Sequence, residues 1–314
     1  MLVRFQPALP CVFNDLRVIF CIYMLYNIGM IKVLAVSGGV DSMVMLDLMR
    51  SKYSAENLVL ATFDHGTREN SSKDADFVDR IGNDLGIRVL RGKTELGAGA
   101  SEEEAREKRY DFLHSVAHNV GGEIYTAHHL DDLVESVAIN ITRGTGFRGL
   151  AALNAPDVKR PFLDGSFGKI FSKHDILEYA SKKSIVFRQD PTNTSDDYLR
   201  NRLRPSVSAL SQETKNRLCE LWQKQMKLTQ EIDGITKEII PESLKFERLW
   251  FMDLDDDAAL EILRAGLLQA NISATRPQIR NFLVAIRKYA PGKKFNLPGD
   301  TLVRINRKDF TLKV

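Results

Sequence analysis

The sequence predicts an α/β protein with a parallel, doubly wound sheet and a smaller C-terminal α+β domain. Short apolar runs rich in β-branched residues recur through the first half of the chain, and amphipathic helical segments separate them. Strands that alternate with helices of this length favour a parallel sheet covered on both faces. The chain has 314 residues, a length for which two domains are the better expectation.

Each expected strand is an apolar run bounded by turn residues, and each expected helix has apolar residues at helical spacing. The expected strands are residues 31–36, 58–63, 87–90 and 123–126, and the expected helices are residues 41–52, 70–85, 101–120 and 130–142. Ser101 followed by Glu104 predicts a capping box at the start of the third helix.

Beyond Gly149 the pattern becomes less regular. The expected elements there are a helix over 172–183 capped by Ser172, a strand over 185–187, a polar loop with an Arg-rich turn over 192–205, a helical stretch from about 210, and strands over 295–297 and 301–305. We therefore expect one domain over residues 30–209, followed by a helical linker and a small basic domain over residues 210–314.

Composition and charge give weaker information. A chain with 44% hydrophobic and 27% charged residues is ordinary for a globular protein, and a formal charge of +3 decides nothing. Residues 276–314, however, contain ten Lys or Arg and two Asp. This excess predicts a polyanionic partner near the C-terminus.

The cysteines and the N-terminus indicate a compartment. Cys11, Cys21 and Cys219 form neither a C-x-x-C pair nor a disulfide framework, so we expect the reducing cytoplasm and no zinc or iron–sulfur site. The apolar run at 18–31 is shorter than the roughly 20 residues of a membrane span, and we expect no membrane partner. We interpret residues 1–29 as a non-conforming N-terminal extension, with a secretory signal as the alternative.

The loop after the first expected strand is the strongest signal for a phosphate site. Two adjacent glycines let the backbone approach a phosphate without a Cβ, and the N–H groups that open the next helix favour an anion. Two hydroxyls flank them, and a carboxylate is placed to hold Mg²⁺ against the phosphates. The loop reads Ser37-Gly38-Gly39-Val40-Asp41-Ser42. An ordinary glycine-rich turn is the alternative interpretation.

Two other phosphate motifs fail. The chain has no G-x-x-x-x-G-K-[ST] sequence. Gly144–Gly149 matches G-x-G-x-x-G, but it follows an expected helix where a dinucleotide fold requires a strand. A dehydrogenase is therefore rejected.

The glycine loop resembles the PP-loop of the N-type ATP pyrophosphatases, a group with an adenine nucleotide alpha hydrolase-like fold. Further segments in matching order resemble the tRNA(Ile)-lysidine synthetase family over residues 31–205. These segments are residues 63–68, 102–110, 126–135, 143–146, 160–161, 190–193 and 200–204. The match is looser over residues 291–299, and the chain looks like the short form of that family.

The resemblance implies a reaction. The implied substrates are ATP, free L-lysine and a tRNA(Ile) with a CAU anticodon, and Mg²⁺ is the implied cofactor. The C2 oxygen of the wobble cytidine would attack the α-phosphate and release pyrophosphate, and the lysine amine would then displace AMP. Because a lysine ammonium with a pKa near 10.4 is not a nucleophile, a proton acceptor is needed.

The resemblance also assigns residues. Asp41 would hold Mg²⁺. His128, Asp132 and Glu135, spaced i, i+4, i+7 on one expected helix face, would bind lysine and take its proton. The alternatives are structural histidines and a helix cap for Asp131 and Asp132.

Basic and strand-end residues complete the candidate site. Arg106 would contact ATP and Arg109 the transferring phosphate or the flipped base, with surface pairing to nearby glutamates as the alternative. Arg202 would stabilise the negative charge that develops during adenylation. Asp64 and His65, at the end of the second strand, would contact adenosine.

Two other functions stay open. The first is another PP-loop tRNA-modifying enzyme of the 2-thiolation type, although such enzymes use cysteines near the site. The second is a non-catalytic RNA-binding relative. A homodimer is possible and has no sequence signal assigned to it.

Overall fold

The structure is a computed structural model that describes residues 30–64, 71–94, 102–188 and 199–312. The chain divides into two compact units, one ending at Leu221 and the other beginning at Trp222. We describe each unit by itself.

The first unit contains a five-stranded parallel sheet. Its strands are β1 (Ile31–Ala35), β2 (Leu58–Asp64), β3 (Arg88–Lys93), β4 (Gly122–Tyr125) and β5 (Val158–Lys159). Their spatial order is β3-β2-β1-β4-β5. The four strands expected from the sequence are present, and the parallel doubly wound sheet is confirmed.

Helices surround this sheet. In chain order they are α1 (Val40–Arg50), α2 (Ser71–Asp84), α3 (Glu102–Val120), α4 (Leu130–Thr142), α5 (Phe147–Leu150), α6 (Lys173–Lys182) and α7 (Leu199–Ser208), and α8 (Gln212–Ile239) begins in this unit. The predicted cap of α6 is confirmed, because the Ser172 hydroxyl accepts a hydrogen bond from the Asp175 N–H.

Both faces of the sheet are buried, as a doubly wound fold requires. Side chains alternate along β1, so Val33 packs with Leu113 of α3 on one face while Leu34 packs with Val44 of α1 on the other. All four of these residues are at most 1% exposed. The apolar runs of the sequence are therefore strands buried on two sides.

The strand order has a direct consequence for a binding site. From β1 the chain proceeds to β2 on one side, whereas β4 pairs with β1 on the other side. The sheet therefore reverses its winding between β1 and β4, and open α/β sheets bind ligands outside the carboxyl ends of the strands at this point. The loop from Val36 to Gly39 and the segment from Thr126 to His129 leave β1 and β4 there.

Two expectations about the end of this unit are wrong. Residues 185–187 form no strand. Ile185 and Phe187 pack against the apolar core that contains Leu34 and Val44. The Ile185 N–H donates to the Ala180 carbonyl instead of to a neighbouring strand. Of the polar loop expected over 192–205, the described part belongs to helix α7. Pro205 lies inside this helix, where a proline costs about 3 kcal/mol, and burial of Val207 on the same helix contributes in the opposite direction.

The second unit is α+β. It contains the rest of α8, followed by β6 (Lys245–Glu247), α9 (Arg248–Asp253), α10 (Asp256–Gln269), α11 (Arg276–Lys288), β7 (Lys293–Leu297), β8 (Thr301–Ile305) and β9 (Asp309–Thr311). Strand β6 pairs antiparallel with β9, and β7 with β8. The two C-terminal strands expected around residues 298–300 are confirmed.

Aromatic packing forms the core of this unit. Phe246, Phe251, Phe282 and Phe310 are at most 2% exposed and contact one another at ring-centroid distances of 5.4 to 5.9 Å. Buried Arg248 donates to the carbonyls of Ile286, Tyr289 and Asn306, which satisfies carbonyl groups at the end of α11. Within the residues described, no helix is long and apolar enough to cross a membrane.

Candidate functional site

The loop between β1 and α1 is organised by its two serines. The Ser42 hydroxyl donates to the Gly39 carbonyl at 2.9 Å and accepts from the Ser37 N–H at 3.3 Å. The Gly39 N–H points to the Ser37 hydroxyl at 3.4 Å. These contacts curl the loop over the first turn of α1, whose N–H groups form an anion-binding end.

The two glycines of this loop are needed for different reasons. Gly38 has φ +83°, and a Cβ there would lie 3.1 Å from Cδ1 of Phe77. Gly39 has an ordinary φ of −72°, and a Cβ there would meet only the Ser37 hydroxyl, at 3.5 Å. Gly38 is therefore required by the fold, whereas the lack of a side chain at Gly39 leaves open space above the loop.

The segment before α4 faces this loop. Helix α4 begins at Leu130 with His129 as N-cap, and Oδ2 of Asp132 accepts from the His129 N–H at 3.0 Å. Nδ1 of His128 lies 2.9 Å from the Thr126 hydroxyl. The expectation that His128 shares a helix face with Asp132 is wrong, because the helix begins two residues after His128.

His129 joins the two halves of the candidate site. Its Nε2 lies 3.8 Å from Oδ1 of Asp41, on the glycine loop, and 3.4 Å from Oδ2 of Asp132, on α4. The imidazole is 7% exposed, and the two carboxylates are about a third exposed at 33% and 29%. Two partly exposed carboxylates, from the first turns of α1 and α4, therefore flank one buried ring.

A lysine lies against the loop carboxylate. Nζ of Lys173, the first residue of α6, donates to Oδ1 of Asp41 at 2.6 Å. In the part of the chain that the structure describes, no three His, Cys, Asp or Glu residues group as metal ligands. A single carboxylate nevertheless suits Mg²⁺, which is held by one or two carboxylates together with substrate phosphates and waters.

Behind this surface is a buried ionic network. Asp131 accepts from the Lys173 N–H and from Nζ of Lys215, both at 2.7 Å. Burial raises the pKa of Asp131, but these two hydrogen bonds outweigh burial, so its pKa is lowered. The Lys215 side chain is 9% exposed and that of Asp131 14%. This pair anchors the start of α4 and the start of α6 to α8.

A family model described as the PP-loop domain matches residues 29–210, more than half of the chain. The chain belongs to the PP-loop family. The matched residues include the glycine loop, Asp41 and the carboxylates of α4.

Several curated relatives of this PP-loop chain carry one name, tRNA(Ile)-lysidine synthase. The protein of that name from Thermotoga maritima is 37% identical over 190 residues, which are 57% of this chain and 44% of the relative. The one from Pseudothermotoga lettingae is 28% identical over 265 residues, covering 78% and 58%. The chain spans about half the length of the curated relatives it matches.

A solved structure has the same fold. The U34-tRNA thiolase NcsA from Methanococcus maripaludis is similar with a TM-score of 0.52 and 18% identity, over 63% of this chain and 72% of that protein. At this identity the similarity concerns the fold alone.

Two further residues predicted for the site lie on α4 and α7. Glu135 is 3% exposed, and its Oε1 accepts from Nε of Arg204 on α7 at 3.1 Å. Asp132, one turn earlier, is the more accessible carboxylate. Arg202 has an exposed side chain on α7, and its predicted role stays a prediction.

The arginines of α3 gather on one tyrosine. Arg106 and Arg109 lie 4.9 and 5.7 Å from the Tyr110 ring centroid. Arg160, which follows β5, is 7% exposed and donates from Nη1 to the Val158 carbonyl; burial lowers the pKa of Arg160. Guanidinium groups that stack on an aromatic ring and remain close together form a site suited to anions or a base.

Asp64 is the last residue of β2, as predicted, whereas His65 lies outside the described residues. The sequence interpretation missed Lys173 and Lys215. Lys173 stands in the first turn of a helix, where the helix dipole disfavours a cation. Lys215 occupies the same helical face as buried Cys219 and Trp222. Both are unusual positions for lysine, and this signal was available in the sequence.

Proposed function

We propose that this PP-loop chain ligates L-lysine to C2 of the wobble cytidine of tRNA(Ile) with a CAU anticodon and converts ATP to AMP and pyrophosphate. One observation carries the proposal: Asp41 of the PP-loop and Asp132 of α4 flank the same imidazole at 3.8 and 3.4 Å. A nucleotide held by the first group and an amine held by the second would therefore be neighbours. The relatives named tRNA(Ile)-lysidine synthase support the choice of substrates.

The first step joins the base to the nucleotide. The cytidine C2 oxygen forms a bond to the α-phosphorus, the bond from that phosphorus to the bridging oxygen breaks, and pyrophosphate leaves. The N–H groups of the PP-loop and Lys173 stabilise phosphate charge. Mg²⁺, which Asp41 would hold, supplies charge neutralisation at the phosphates.

The second step exchanges oxygen for nitrogen. The lysine amine bonds to C2, the C2–O bond breaks, AMP leaves with that oxygen, and the amine loses a proton. Asp132 is the partly exposed carboxylate that, together with Asp41, flanks His129, so we assign it to the ammonium of lysine. Buried Glu135 holds Arg204 and so orients α7 beside the amine. His128 remains a candidate for the proton acceptor.

The remaining assignments follow from this chemistry. Arg106 and Arg109 lie against Tyr110, and we assign Arg106 to binding ATP and Arg109 to the transferring phosphate. Arg202 would stabilise the negative charge that develops during adenylation. The basic residues of 276–314 would contact the tRNA backbone. We place the reaction in the cytoplasm, where free thiols and ATP are available. A homodimer is compatible with this chemistry.

The chemistry of Cys219 argues against thiolation. Burial raises the pKa of its thiol to about 11, so little thiolate is present at neutral pH, and the thiolate is the reactive form. Cys11 and Cys21 lie outside the described residues.

One assay tests the proposal. Purified chain is incubated with ATP, Mg²⁺, labelled lysine and CAU-anticodon tRNA(Ile), with elongator methionine tRNA as the matched control because it has the same anticodon letters before modification. We expect label on the isoleucine tRNA alone and one AMP per lysine transferred. If the chain binds ATP but transfers label to neither tRNA, the proposal that lysine is its substrate is wrong.

A further inference from the structure

Helix α8 contributes a buried cation to the surroundings of the glycine loop. Nζ of Lys215 donates to Oδ1 of Asp131 at 2.7 Å, and the Lys215 side chain is only 9% exposed. Cys219, one turn later on the same helix, is fully buried, so this side of the first turns of α8 is packed. Lys215 lies beyond residue 210, where the matched PP-loop domain ends. A residue from outside that domain therefore reaches into the candidate site.

The partner of Lys215 holds a second element of the site. Oδ2 of Asp131 accepts from the N–H of Lys173, the first residue of α6, at 2.7 Å. The first N–H groups of a helix have no partner within the helix, and a carboxylate is favoured there by the helix dipole. The Leu130 N–H also donates to the Phe171 carbonyl at 2.9 Å. Two hydrogen bonds therefore join the start of α4 to the start of α6 and the residues just before it.

The Lys173 side chain extends this arrangement to the glycine loop. Its Nζ donates to Oδ1 of Asp41 at 2.6 Å, and the proposed function assigns it to the charge of the phosphates. A lysine ammonium is a point charge on a flexible four-carbon stem. Its position beside a phosphate is therefore defined only as well as the backbone that carries it. Preorganisation of that backbone lowers the entropy that is lost when a ligand binds.

We propose that Lys215 is a positioning residue for ATP. It fixes the carboxylate of Asp131, which fixes the start of α6 and so places Lys173 beside the phosphates. The inference rests on the proposed function, in which the PP-loop binds ATP. Without Lys215, the buried carboxylate of Asp131 loses the ammonium that neutralises it, and such a group moves toward water or takes up a proton. In either case the Lys173 N–H loses a strong and fixed acceptor.

Calorimetric titration of the full chain with ATP and Mg²⁺ tests this role. K215M should raise the dissociation constant for ATP roughly tenfold, the lower end of the effect of losing an outer-shell partner. R217M is the matched control, because Arg217 is a cation on the same part of α8 whose side chain is 75% exposed. It should bind ATP like the wild type. Wild-type affinity in K215M would overturn the proposal.

The double variant K173M/K215M distinguishes positioning from a general disturbance of the site. Because Lys215 acts through the Lys173 side chain, its removal should change ATP affinity no further once Lys173 is replaced. A distorted fold or a missing positive charge would instead weaken ATP binding by the same factor in both backgrounds. That result would show that Lys215 does not act through Lys173, and the proposal would be wrong.

A second variant covers the case in which K215M does not fold, which urea denaturation would reveal. D131N/K215M removes both charges of the buried pair, and its amide oxygen can still accept from the Lys173 N–H without a tether to α8. It should also bind ATP roughly tenfold more weakly, and wild-type affinity would again contradict the proposal. Lysine transfer is measured in parallel. A wild-type chain that binds ATP but transfers no lysine contradicts the proposed function and leaves the role of Lys215 standing.

Discussion

Nζ of Lys173 lies 2.6 Å from Oδ1 of Asp41, so a lysine ammonium is paired with the PP-loop carboxylate proposed to hold Mg²⁺. The Lys173 side chain is 40% exposed and that of Asp41 33%, so both groups are accessible to a ligand. A metal that took the carboxylate would release the ammonium beside the phosphates. We therefore expect the pair to neutralise the carboxylate in the free protein and to supply a cation in the complex.

This relationship predicts the effect of K173M. Loss of a charged hydrogen bond to phosphate is worth about 1.5–3 kcal/mol, so we expect the KM for ATP to rise roughly tenfold to a hundredfold while the KM for lysine changes little. Pyrophosphate release at varied ATP measures it. K182M, on the same helix and paired at the surface with Glu178, is the control. Equal KM values for ATP in K173M and K182M would show that Lys173 does not contact the nucleotide.

The two PP-loop glycines predict opposite outcomes for alanine. G38A places a Cβ at a positive φ and near Phe77, which should cost about 1–2 kcal/mol of unfolding free energy. G39A has space in the free protein and should unfold like the wild type. Urea denaturation of G38A, G39A and the wild type measures this difference in unfolding free energy.

G39A should nevertheless bind ATP poorly, because its Cβ occupies the position where a phosphate approaches the backbone. Calorimetric titration with ATP and Mg²⁺ measures this. Wild-type ATP affinity in G39A would show that the phosphates lie elsewhere.

The ion pair between buried Glu135 and partly exposed Arg204 predicts a coupled effect. E135Q removes the charge that holds Arg204 at 3.1 Å. Because the Arg204 side chain is 40% exposed, we expect E135Q to lower the free energy of unfolding by about 1–2 kcal/mol. This is less than the effect of breaking a fully buried pair. The KM for lysine should also rise. A double-mutant cycle with R204Q measures the coupling, and E213Q, which breaks an exposed pair with Arg217, should change stability by less than about 0.5 kcal/mol.

The Asp131–Lys215 pair predicts a dependence of stability on pH. The native pKa of Asp131 lies below its ordinary 3.8. Its ionised form is therefore favoured by folding, and that contribution is present above the ordinary pKa and is lost as pH falls through the lowered native pKa. The stability difference between wild type and D131N should be constant from pH 7 to about 5 and should shrink below about 4.

Urea midpoints at stepped pH measure this difference. D300N serves as the control because Asp300 lies in a turn of the second unit and its side chain is exposed. A wild-type advantage over D131N that persists unchanged at the lowest pH would contradict the role of the ionised carboxylate.

The sequence alone determined the local parts of this protein. Apolar runs with β-branched residues predicted β1 to β4, and the spacing of apolar residues predicted the helices between them, because these patterns depend only on which faces of an element are buried. The glycine loop was also readable, since its conformation depends on residues that are adjacent in the chain. Ser172 predicted the cap of α6 for the same reason.

Tertiary structure decided what depends on residues far apart in sequence. The winding reversal between β1 and β4, which brings Asp41 to His129, follows from strand order, and no local pattern encodes that order. Residues 185–187 have the composition of a strand but lack a neighbouring strand to pair with, and Pro205 is tolerated in α7 because the helix is packed. Lys173 and Lys215 acquired their partners 132 and 84 residues away; such pairings are fixed by the fold, since the energy of an ion pair depends on distance and burial rather than on residue type.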